Sequence, residues 1–127
     1  ANCGVGPSEM VDTILQIKKN QTNEIAIIAK GNCGIPSYQE GKIVYSGTPE
    51  IMSTYALMAL KAGAKIIGGC CGTTPSHIRE MRNALEKAPI SVSYSIEEHF
   101  AQLGKPWHET DKSKKRVKRS NLRNRNS

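Results

Sequence analysis

No stretch of 18 consecutive apolar residues occurs in the chain, and its opening, Ala1-Asn2-Cys3-Gly4, has neither a basic run nor an apolar segment. A membrane-spanning helix and a secretory leader are therefore not expected, and a cytoplasmic location is. The four cysteines form no CxxC pair, which removes zinc-finger and thioredoxin-type readings. Without a secretion signal a disulfide framework is not expected either, so metal binding, catalysis and plain core packing remain for these thiols. Neither GxGxxG nor GxxxxGK is present, and a phosphate-cradling loop is accordingly not expected. Residues 112–127 hold no acid and no aromatic side chain.

That last deficit explains the net charge of +7, which looks at first like a nucleic-acid signal. Eighteen Lys and Arg stand against eleven acids, and eight of the eighteen lie in 112–127. The ten that remain nearly balance the acids, so the body is close to neutral and the basicity belongs to a tail. A segment with so little to bury is expected to be disordered. With nothing to stack on bases, any binding to nucleic acid would be non-specific. Residues 1–104 are read as one domain, and 105–127 as a linker and basic tail.

What is present alternates helix and strand. From Ser8 to Lys19 the spacing predicts a helix, with Ser8 as N-cap, Glu9 in the first turn, an apolar face of Met10, Val11, Ile14 and Leu15, and Lys18 and Lys19 at its end. Ile25–Ala29 is a short β-branched run, the pattern of a strand buried on both faces of a parallel sheet. Residues 30–47 read as a loop. Thr48-Pro49-Glu50 then opens a helix that stops at Gly63, and Ala64–Gly69 reads as a second buried strand. Thr74-Pro75 repeats the helix-start device, with Ile78, Met81 and Leu85 on one face. Ser95-Ile96-Glu97-Glu98 forms a capping box for a last short helix ending at Leu103 and Gly104.

Strand and helix in alternation predict an α/β chain with a parallel sheet. A weak repeat reinforces this: Asn2-Cys3-Gly4-Val5 with Pro7 echoes Asn32-Cys33-Gly34-Ile35 with Pro36. Its period fits one βα unit of a (β/α)8 barrel, in which about 250 residues make eight units. Three parallel strands cannot close and leave unpaired edges, so the chain is expected to be the C-terminal piece of a longer TIM-type barrel, or one half of a two-chain assembly.

Cys3, Cys33 and the Cys70-Cys71 pair all fall where a predicted strand gives way to a loop. In a parallel barrel those ends converge on the mouth that carries the active site. Three thiolates around one Zn2+ with a fourth position open describe a catalytic zinc, whereas four describe a structural one.

The segments Ala1-Asn-Cys-Gly-Val-Gly-Pro7 and Gly68-Gly-Cys-Cys-Gly-Thr-Thr-Pro75-Ser-His-Ile78 resemble the two zinc-ligand motifs of the homocysteine S-methyltransferase family. Ala29–Pro36, Gly41–Tyr45 and Thr48–Glu50 are similar to the matching strand, loop and helix start of bacterial members resembling betaine-homocysteine methyltransferases. Over roughly residues 1–88 the resemblance implies strands six to eight of the barrel, with Cys3 ending strand six and Cys70 and Cys71 ending strand eight. It further implies that these three cysteines hold the zinc. Cys33 departs from the family, which commonly has a small residue there, and is read as a neighbour of the site. The implied activity is methylation of the homocysteine thiol to give methionine, with betaine expected as donor ahead of S-methylmethionine or a methylated folate. Substrate-binding residues are not assigned, since the family's Asp-Gly and Glu elements have no counterpart in the chain.

Two rival readings stand beside this one: a non-catalytic zinc-binding fragment that needs a missing barrel half, and a nucleic-acid-binding module run by the tail. Gly68, Gly69 and Gly72 read as room for close backbone approach at the metal. His77 is expected to cap its helix or face solvent, and neither His99 nor His108 is expected in the site. Met52, Met58 and Met81 read as core, and Trp107 as packing on the body.

Overall fold

The computed structural model describes residues 1–89 and 92–106. Two-residue strand β1 (Asn2–Cys3) leads to helix α1 (Pro7–Asn20), strand β2 (Ile28–Gly31), hairpin strands β3 (Pro36–Gln39) and β4 (Lys42–Tyr45), and helix α2 (Pro49–Ala62). Strand β5 (Ile66–Gly69) and helices α3 (Pro75–Lys87) and α4 (Ile96–Leu103) follow. β1, β2 and β5 form a parallel sheet in that order, with Asn2 opposite Lys30, Cys3 opposite Gly31, and Ile28 to Gly31 opposite Ile66 to Gly69. The molecule is thus mixed α/β.

Helices cover one face of that sheet. Met10, Val11 and Ile14 of α1 meet Met52, Tyr55, Ala56, Met58 and Ala59 of α2 over Ala29, and Met81 of α3 closes the cluster. Each side chain removed from water this way contributes about 1.5–3 kcal/mol before conformational entropy is counted. The expectation that Met52, Met58 and Met81 are core holds. Thr48 caps α2 by accepting from the Ile51 N–H, and Gly63 ends it in the left-handed region at φ 116°.

Several expectations need correction. β2 begins at Ile28 rather than Ile25, and only alternate residues are buried: Ala29 and Gly31 face the helices, while Ile28 and Lys30 face outward. Ile28 and Ile66 are adjacent on that outer face and both exposed, so neither strand is buried on both sides among the described residues. Ser8 is not the N-cap of α1. Pro7, with its fixed φ and no N–H to satisfy, takes the first helical position and Gly6 the cap. Ile78 lies exposed, and His77 turns inward instead.

The stretch read as a loop over 30–47 contains an antiparallel hairpin with Gln39 paired to Lys42. Its two-residue turn, Glu40-Gly41, has both residues at positive φ (49° and 79°), the geometry whose twist suits hairpin strands. The register puts Pro36, Tyr38, Ile43 and Tyr45 on one face.

α4 is tied to the body by two polar contacts. The Lys61 ammonium donates to both carboxylate oxygens of Glu98 at 2.8 and 2.9 Å. Glu98 is therefore engaged across the fold, and only the Ser95 half of the capping box forms, Ser95 Oγ accepting from the Glu98 N–H. His99, fully buried, bonds Ser8 Oγ at 2.9 Å and Tyr94 Oη at 2.6 Å. Trp107, His108 and the basic tail lie outside the described residues.

Candidate metal centre

The site is built at the C-terminal ends of the parallel strands. β1 ends at Cys3, whose φ of 65° is followed by 87° at Gly4. A left-handed cysteine costs about 1–3 kcal/mol, a strain that gathers at functional positions. It turns the thiol toward its neighbours: Cys3 Sγ donates to Asn32 Oδ1 at 3.2 Å and lies 3.8 Å from Cys71 Sγ. Asn32 is buried and uses its amide to donate to the Gly4 carbonyl at 2.8 Å, so one side chain fixes both Cys3 and the turn after it.

On the other side, the Cys70 N–H donates to the Gly31 carbonyl at 2.9 Å, the last ladder bond of β5. The Thr73 N–H returns to the Cys70 carbonyl at 3.1 Å, and Gly72 takes φ 78°. A Cβ at Gly72 would collide with the Tyr45 ring. Glycine is required there twice over, for the left-handed turn and for the close approach of an aromatic side chain. Thr73 Oγ1, at the end of this turn, is a buried side-chain oxygen that finds no hydrogen-bond partner among the described residues. Cys70 Sγ lies 3.9 Å from Cys71 Sγ.

Cys3, Cys70 and Cys71 thereby offer three sulfurs all within 4.8 Å of one another. Two sulfurs each about 2.3 Å from one tetrahedral zinc stand about 3.8 Å apart, which the 3.8 and 3.9 Å separations from Cys71 to its two neighbours match. The soft, all-thiolate donor set suits Zn2+. None of the three sulfur-bearing residues is buried, which leaves the cluster open to a substrate. Cys3 is held below the usual thiol range by the Cys70 and Cys71 sulfurs and the Gly4 N–H, while the same kind of sulfur contacts push Cys71 up. A thiolate stabilised at Cys3 thus disfavours a second one at Cys71.

Cys33 stands apart from this cluster. It is 1% exposed, its thiol donates to the Gly47 carbonyl at 3.0 Å, and burial pushes its pKa up. A protonated thiol already engaged by a carbonyl is a poor metal ligand. His77, expected to cap its helix or face solvent, does the first and is buried: its Nδ1 accepts from the Thr74 N–H at 3.1 Å. His99 belongs to the α1–α4 contact. Asn32 and Tyr45 are site residues that the reading of motifs missed. Asn32 could have been found from the Asn-Cys-Gly repeat, whereas nothing local marked Tyr45.

A cavity bordered by Asn2, Cys3, Gly4, Met10 and Thr13 touches the cluster at Cys3, while another, bordered by Ser8, Gly34, Ser46, Gly47 and Leu103, contains no cysteine.

The homocysteine S-methyltransferase family model matches residues 1–85. The methionine synthase of Mycobacterium leprae (strain TN) is 32% identical over 87 residues, 68% of this chain. That of Mycobacterium tuberculosis (strain ATCC 25618 / H37Rv) is 32% identical over 97 residues, 73% of this chain. The chain spans only 7% and 8% of the length of these two relatives. It belongs to the homocysteine S-methyltransferase family.

Proposed function

We propose that this member of the homocysteine S-methyltransferase family serves the methylation of the homocysteine thiol to methionine, and that Cys3, Cys70 and Cys71 hold the zinc ion for it. The observation that carries the reading is the meeting of three sulfurs from two strand ends within 4.8 Å. Zinc, when bound, supplies a Lewis acid that keeps a coordinated thiol deprotonated at neutral pH. Among the described residues, the chain's own part is to provide these three donors. Cys33 is withdrawn behind Gly47, and Asn32 aims Cys3 inward. Three protein ligands are the count of a site that leaves room for a substrate.

In this reading β1, β2 and β5 are strands six, seven and eight of a (β/α)8 barrel, and the exposed Ile28 and Ile66 face its interior. The remaining strands come from sequence or a partner outside the 127 residues. The names of the matched relatives support methionine as the product. Betaine remains the donor we favour from the resemblance of residues 29–50, ahead of S-methylmethionine and a methylated folate. A cytosolic setting, which keeps thiols reduced, suits the open cluster.

The test is zinc per chain on reduced protein, wild type beside Cys71→Ser, followed by methyl transfer with each donor in an assembled enzyme. About one zinc in wild type, lost in the variant, is the count expected of a three-thiolate site. Methyl transfer that persists in Cys71→Ala would refute the assignment. Zinc without methionine, even with the complementary half supplied, would favour the non-catalytic zinc-binding reading.

A further inference from the structure

The Cys70-Cys71 turn is held at its first residue by the strand ladder, but past Cys70 the ladder ends. What continues is a side-chain relay from the far side of the hairpin. The Cys71 carbonyl accepts from the Cys33 N–H at 2.9 Å, and the Cys33 carbonyl accepts from the Gly47 N–H at 2.9 Å. The Gly47 carbonyl accepts twice, from Cys33 Sγ at 3.0 Å and from His77 Nε2 at 3.0 Å. The direction of the last bond follows from its neighbour. The Thr74 N–H can only donate, so His77 Nδ1 accepts and Nε2 carries the proton in the neutral ring.

Two further facts show that this junction is built tightly. Cys33 and His77 are both buried, at 1% and 9% exposure. Gly47 must lack a side chain, since a Cβ would come within 2.6 to 2.8 Å of the Cys33 carbonyl and thiol. Cys33 and Gly47 flank the 34–46 excursion that contains the hairpin, so the relay closes its neck and binds it to the helix that follows the metal turn.

We propose that His77 and Cys33 are positioning residues for the metal centre, acting through the Gly47 carbonyl to hold the Cys71 peptide where its sulfur meets those of Cys3 and Cys70. The proposal rests on the zinc reading above, but the relay has a readout that needs no metal. The Cys33 amide proton is the one donated to Cys71, so its exchange rate reports the link directly in the metal-free chain.

The experiment is a pair of substitutions in the full chain. His77→Asn keeps an acceptor near the Nδ1 position, preserving the helix cap, but cannot reach Gly47. His77→Gln can place a donor where Nε2 stood. Expected for His77→Asn are a loss of zinc affinity of about 10–100-fold by chelator competition and Cys33 amide exchange faster by about tenfold or more. His77→Gln should restore both to near wild type. Asn behaving as wild type, or Gln behaving as badly as Asn, overturns the proposal. A wild-type chain that binds no zinc sinks the metal reading and the proposal with it, whereas unchanged Cys33 exchange in His77→Asn overturns the relay alone. Should His77→Asn unfold, Cys33→Ala removes the other donor to Gly47 and is judged by zinc affinity in the same way.

Discussion

Lowering the pH from 8 toward 5 should loosen α4 from α1 through one residue, His99. The ring is fully buried. Its Nε2 faces Ser8 Oγ at 2.9 Å and the Ser8 carbonyl at 3.1 Å, and its Nδ1 faces the Tyr94 hydroxyl at 2.6 Å. Ser8 Oγ already donates to the Gly104 carbonyl at 2.6 Å, so Nε2–H donates to Ser8 and Nδ1 accepts from Tyr94. Burial lowers the pKa of His99 against the opposing pull of the Ser8 carbonyl, Asp12 and Glu9. A folded-state pKa below the unfolded value means that the unfolded chain binds the extra proton first. Stability from this residue is therefore full above the unfolded value of about 6.5 and is lost as pH falls below it. His99→Ala removes both partners and the ring volume. At about 1 kcal/mol for each of two hydrogen bonds and about 1–2 kcal/mol for the residual cavity, the cost is about 3–4 kcal/mol. For a domain of this size that lowers Tm by more than about 10 °C. Urea unfolding followed by circular dichroism at several pH values measures both effects, and the slope between pH 5 and 7 should flatten in His99→Gln. The reasoning fails if His99→Ala unfolds within about 0.5 kcal/mol of wild type, or if the slope is the same in His99→Gln.

Other perturbations follow from single contacts. Gly72→Ala forces a Cβ into φ 78° and against the Tyr45 ring, and should cost about 1–2 kcal/mol and weaken zinc binding, as chelator competition would show. Tyr55→Phe deletes the hydroxyl that accepts from the Gly31 N–H at 3.0 Å and donates to the Gly68 carbonyl. That removes a buried hydroxyl and both its hydrogen bonds at the junction of β2 and β5, and a loss of about 1–3 kcal/mol is expected in denaturant melts. Deleting residues 112–127 should leave zinc content unchanged and abolish any salt-sensitive binding to nucleic acid; binding that survives the deletion would remove the tail from consideration.

How much of this was legible in the residues depends on the range of the interaction. The starts of α2 and α4 were plain because Thr48 and Ser95 carry their caps within four residues. The core methionines followed from helical spacing. Strand burial was misjudged because Ile25–Ala29 reads as a two-sided run only if something covers the outer face, and among the described residues nothing does. The hairpin was hidden for a different reason. Glu40-Gly41 is a weaker turn signal than Asn-Gly or Asp-Gly, since a left-handed glutamate at φ 49° is uncommon and no local rule announces it.

The metal cluster was legible and its support was not, and the two facts have one cause. A thiolate site needs a particular element at fixed places, so the resemblance carried by the Asn2-Cys3 and Cys70-Cys71 motifs was enough to single out the three cysteines that the fold brings together. A brace needs only a donor and an acceptor at the right distance, and any pair of backbone or side-chain groups can supply them. Cys33 illustrates the difference: residue type placed it among the candidate ligands, but its thiol is committed to a carbonyl 14 residues away. His77 was assigned to its helix cap and also reaches Gly47, 30 residues back. The first closes the neck of the connection between β2 and α2, and the second joins that connection to the helix after β5, so it exists only once the parallel sheet has brought β2 and β5 side by side. A substitution that leaves all three cysteines intact can on this account still empty the site, and the residues at which it would do so are the ones that no motif contains.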